Sequence, residues 1–77
     1  MHNLADDGQQ NLSFRQWLRQ FAGEESAIGD LARDVRDDPR PPGGLTLRGW
    51  RASMKRRGAS YLALQVLERA WARYEAR

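Results

Sequence analysis

The chain has 77 residues, no cysteine, and 13 lysines and arginines against 10 acidic residues, for a formal net charge of +3. These values exclude disulfide staples, thiolate metal sites and a cysteine nucleophile, and they leave little room for a deep catalytic cleft beside a core. No stretch approaches the roughly 20 apolar residues of a spanning helix.

Met1 to Leu12 is polar, with neither a basic leader region nor an apolar run, so it reads as neither signal peptide nor anchor, and a cytoplasmic address is expected. Residues 1–12, which hold the lone histidine, His2, are expected to form a disordered tail, and 13–77 the folded domain.

Four helices follow from periodicity and caps. Ser13 caps the first, with Gln16 placed to return a bond to its backbone. Phe14, Trp17, Leu18 and Phe21 form its apolar stripe, and Gly23 is suited to a left-handed stop. The second helix begins near Ser26. It buries Ile28, Leu31, Ala32 and Val35, turns Asp30, Arg33, Asp34, Arg36 and Asp37 outward, and stops at Pro39. Residues 39–44, Pro-Arg-Pro-Pro-Gly-Gly, read as a surface loop. The third helix spans about Thr46 to Arg57 with Leu47, Trp50 and Met54 inward, and Gly58 ends it. Gly49 lowers its propensity by about 1 kcal/mol relative to alanine, a cost that close approach to a neighbouring helix would explain. Ser60 caps the fourth and longest helix, whose stripe is Leu64, Leu67, Trp71 and Tyr74, widened by Val66 and Ala70. No β alternation occurs. The expected fold class is all-α, built of four helices.

The opening Ser13-Phe14-Arg15-Gln16-Trp17-Leu18, the run Ile28-Gly29-Asp30-Leu31-Ala32-Arg33-Asp34, the stop Asp37-Asp38-Pro39 and the ending Ala70-Trp71-Ala72-Arg73-Tyr74 resemble, in order and spacing, the YozE SAM-like family of small bacterial domains. The resemblance covers Ser13 to Tyr74. It implies a compact orthogonal bundle of four helices, with room for a fifth short turn, similar to sterile-alpha-motif domains, and no catalytic residue set. The chain departs from the family in its Pro-Arg-Pro-Pro-Gly-Gly loop and in its strongly basic third helix.

Catalysis finds little support. Ser13, Ser26 and Ser60 are explained as caps, Ser53 lies within a helix, and the one potential imidazole base is His2. Asp30, Asp34 and Asp37 share a face but lack the spacing of a calcium loop, and with Arg33 one turn from both Asp30 and Asp37 they read as a solvated, salt-bridged face. Gly43-Gly44 and Gly49 form no phosphate-cradling loop. Trp17, Trp50 and Trp71 sit on apolar stripes and read as core. The chain is therefore expected not to be an enzyme and to take no cofactor, metal or small-molecule substrate.

Charge is the distinctive feature. Residues 1–43 carry five arginines against six aspartates and two glutamates, a balance of −3, whereas residues 44–77 carry seven arginines and one lysine against two glutamates, a balance of +6. Arg48, Arg51 and Lys55 lie at i, i+3 and i+7 on the third helix, and Arg56 and Arg57 extend this basic face. Asp30, Asp34, Asp37 and Asp38 form the acidic face. Such segregation points to protein–protein interaction. A SAM-like resemblance implies head-to-tail joining, here with self or another protein, through acidic and basic patches. The alternative is nucleic-acid binding through the third helix and the Gly58-Ala59 turn before the fourth. The fourth helix, however, opens Ser60-Tyr61-Leu62-Ala63-Leu64, poor in base-reading side chains.

Overall fold

Each helix begins where a hydroxyl precedes an apolar run. In the computed structural model, which describes residues 12–77, these are α1 (Phe14–Arg19), α2 (Ala27–Asp37), α3 (Leu47–Arg56) and α4 (Tyr61–Ala76). Ser13 Oγ accepts from the Gln16 amide at 3.1 Å, and Gln16 Oε1 accepts from the Ser13 amide at 3.0 Å, completing the expected capping box. Ser26, Thr46 and Ser60 each accept from the amide three residues on, at 3.0, 3.0 and 3.1 Å. Such caps contribute about 1 kcal/mol apiece.

The first three helices end in three different ways. α3 stops as expected: Gly58 takes φ +82°, and the Gly58 and Ala59 amides bond the Lys55 and Met54 carbonyls at 3.0 Å each, a paired closure that a left-handed residue permits. α2 stops at Asp38, extended before Pro39. α1 does not end on a left-handed Gly23, which lies outside the positive-φ region. It tightens instead through short bonds from Phe21 to Leu18 and Ala22 to Arg19, and the guanidinium of Arg33 on α2 donates to the Ala22 and Glu24 carbonyls at 2.8 and 2.9 Å. An arginine from the next helix thus satisfies carbonyls of the connection just beyond α1.

No strand occurs among the described residues, and the four helices form a small compact bundle in which α4 packs against each of the other three. Its core is Phe14, Trp17, Leu18, Leu31, Ala32, Val35, Trp50, Met54, Leu64, Leu67, Ala70 and Trp71, so all three tryptophans are buried as the stripes require. The Phe14 ring lies 4.4 Å from Trp71, 5.0 Å from Trp50, 5.4 Å from Tyr74 and 5.7 Å from Trp17, joining α1, α3 and α4 in one aromatic cluster. The polar edges of that cluster are satisfied: Tyr74 Oη donates to the Leu12 carbonyl at 2.6 Å, and Trp50 Nε1 to the Gly44 carbonyl at 3.1 Å. Leu12, placed by sequence in the tail, packs partly buried against the core. The remainder of that tail, residues 1–11, lies outside the described residues. The loop before α3 is likewise anchored, with Pro42 buried and the Gly43 amide donating to Ser53 Oγ at 3.3 Å.

Two helical glycines have different reasons. A Cβ on Gly29 would lie 2.0 Å from the Glu24 carbonyl oxygen and 3.0 Å from that of Phe21, so α2 crosses the backbone of the α1–α2 connection at a distance only glycine allows. Gly49 approaches no helix. A Cβ there would meet Thr46 Oγ1 at 3.4 Å and Gly44 Cα at 3.6 Å, ordinary contacts with its own cap and loop. Urea unfolding of both alanine variants checks this contrast. Gly29→Ala is expected to lose about 1–3 kcal/mol through overpacking, and Gly49→Ala to gain up to about 1 kcal/mol from helix propensity.

Candidate interaction surface

The basic face divides by geometry into two groups. Arg51, half-buried, donates from Nε to Glu68 Oε2 at 3.1 Å and ties α3 to α4. Arg57 pairs with Asp38 across the groove between the ends of α2 and α3. Arg48, Lys55 and Arg56 are exposed and have no ionic partner among the described residues. Exposed Ala52 lies between them, so the outer face of α3 is a smooth cationic strip.

The acidic face divides in the same way. Asp30 pairs with Arg33, and Asp37 with Arg36 at 2.8 Å. Arg33 thus serves Asp30 and the α1–α2 carbonyls, and Asp37 finds its partner in its chain neighbour. Asp38 accepts from the Arg40 amide at 2.8 Å as well as from Arg57. Asp34 is exposed and unpaired among the described residues. The two faces therefore meet inside one molecule at Asp38 and Arg57, which are spent on the fold. No group of three or more His, Asp or Glu side chains among the described residues is arranged to hold a metal ion.

Between these charges runs a groove. One part, about 310 Å³, has Leu31, Val35 and Met54 in its lining and Asp34, Asp38 and Arg57 around it. An adjoining part of about 160 Å³ shares Leu31, Asp34 and Ala63 and adds Asp30, Leu62 and Val66. Three apolar side chains that charge reasoning passed over stand out in water: Leu45 at 99% exposure, and Tyr61 and Leu62 at 70% each. For Tyr61 and Leu62 the signal was present, because both fall off the Leu64, Leu67, Trp71, Tyr74 stripe of α4. Leu45 carried none, since a residue just before a helix cap normally folds onto the helix.

The Arg40 amide bond, with a further pull from Arg57 set against partial burial, holds the Asp38 carboxyl below its usual 3.8. The Arg36 hydrogen bond does the same for Asp37. A carboxyl with a depressed native pKa stabilises the fold above its unfolded value and loses that contribution as pH falls through the native one. Thermal stability is therefore expected to decline as pH drops from about 5 through the region below 3.8. In melts recorded across that range, Asp38→Asn should be less stable at neutral pH and show a shallower acid decline. An unchanged slope would exclude Asp38 as a contributor.

Among the described residues no helix is long and apolar enough to cross a membrane. Compared with family models, curated proteins and solved structures, the chain matches none.

Proposed function

We infer that this chain is a non-catalytic, SAM-like binding module of the cytoplasm that associates with protein, a second copy of itself first among partners, through opposed charged faces. The observation that carries this reading is the division of charges: Arg48, Lys55 and Arg56 remain unpaired on one exposed helix face, and Asp34 remains unpaired beside the α2–α4 groove. The SAM-like part of this reading rests on the resemblance of the Ser13–Leu18, Ile28–Asp34, Asp37–Pro39 and Ala70–Tyr74 runs to the YozE SAM-like family. Exposed ion pairs contribute only about 0.2–1 kcal/mol each, so the association is expected to be weak and salt-sensitive.

A second reading is favoured by the cationic strip alone, which would hold nucleic-acid phosphates without reading sequence. Tyr61, Leu62, Ala63 and Leu64 at the start of α4 supply no side chain suited to base edges.

Sedimentation of the full chain over a range of concentrations at low and high salt separates the two. Low-salt association is expected for the wild type. The triple reversal Arg48→Glu, Lys55→Glu, Arg56→Glu should weaken it by about tenfold or more, the combined effect of several exposed pairs. A strictly monomeric wild type that retards duplex DNA at micromolar concentration would favour the nucleic-acid reading and overturn this one.

A further inference from the structure

Leu45 is the most exposed large apolar side chain of the described residues, at 99%, and its surroundings make that unusual. It immediately precedes the Thr46 cap, where an apolar residue ordinarily packs on the side chain four positions into the helix, here Trp50. Trp50 is instead buried and bonded to the Gly44 carbonyl, and Leu45, next in the chain, is left in water. The leucine projects beside Arg48, an unpaired cation, and Arg51.

The α2–α4 groove has complementary chemistry: an apolar lining from Leu31, Val35 and Ala63, and the free carboxylate of Asp34 beside it. No residue lining the groove also lines the hollows around Leu45, so the two features occupy separate parts of the molecule. Separate complementary patches on one chain give a heterologous contact, which propagates or closes into a ring.

We propose that Leu45 of one copy seats in the α2–α4 groove of the next, with Arg48 against Asp34. This rests on the association reading above and assigns its contact. Apolar burial supplies the attraction, and the ion pair sets orientation. Leu62 on the groove wall is covered by the incoming loop, which accounts for a second exposed apolar side chain.

The test uses light scattering and sedimentation of the full chain at low salt, with helical circular dichroism confirming that each variant is folded. Wild type should grow past a dimer with concentration. Leu45→Glu, which keeps a working groove, and Asp34→Arg, which keeps a working leucine, should each be monomeric. Their equimolar mixture should form a heterodimer and stop there, because each component retains one half of the contact. If Leu45→Glu assembles as wild type does while the Arg48, Lys55, Arg56 reversal does not, the leucine contact is overturned and the charged-face reading stands. A mixture that stays monomeric likewise overturns the head-to-tail contact. A wild type that never associates overturns both.

Discussion

The Phe14 ring is the constraint on which this fold depends. α1 has six residues, far fewer than an isolated helix needs to persist in water, so the packing of its apolar face must hold it. Phe14 provides that packing by touching aromatic rings on α3 and α4 as well as Trp17 on its own helix. Edge-to-face and offset pairs of this kind contribute about 0.5–1.5 kcal/mol each beyond their burial. The same contacts fix Trp50, the inward anchor of α3, and so determine which side of α3 faces water.

That orientation produces the surface. With Trp50 and Met54 turned inward, Arg48, Ala52, Lys55 and Arg56 are turned out, while Arg51 and Arg57 reach sideways to Glu68 and Asp38. Two of the five cations thus secure α3 to its neighbours, and three remain for another molecule. On α2 the same division leaves Asp34 free beside an apolar groove, while Asp30 and Asp37 are engaged within the helix and Asp38, at its end, by Arg57. The exposed leucines at either side of this charge pattern add what charge alone lacks, a surface that gains by leaving water.

Much of the fold was legible because its signals are local. A hydroxyl ahead of an apolar run needs only its own helix to become a cap: Ser13, Ser26 and Ser60 cap where the sequence puts them, and Thr46, expected near the start of the third helix, proves to be its cap. The stripes that bury Trp17, Trp50 and Trp71 are equally self-contained. What sequence could not show depends on which segments come together. Arg33 reaches the Ala22 and Glu24 carbonyls because α2 passes the end of α1. Gly29 is required by the same crossing, whereas Gly49, the glycine that drew attention in sequence, borders only its own cap. The charged faces were identified by composition and spacing. Their thinning into paired and unpaired members followed from tertiary placement, as did the outward turn of Leu45.

The most direct measurement is the unfolding free energy of Phe14→Ala by urea titration, beside the exposed control Tyr61→Ala. Removing a buried phenylalanine typically costs about 3–5 kcal/mol, a large share of the roughly 4–12 kcal/mol expected for a chain of this size. Phe14→Ala is expected to lose that amount, with a change in tryptophan fluorescence as the packing around Trp17, Trp50 and Trp71 loosens, while Tyr61→Ala stays within about 0.5 kcal/mol of wild type. A Phe14→Ala loss below about 1 kcal/mol, with the tryptophan signal unchanged, would contradict the central place of this ring.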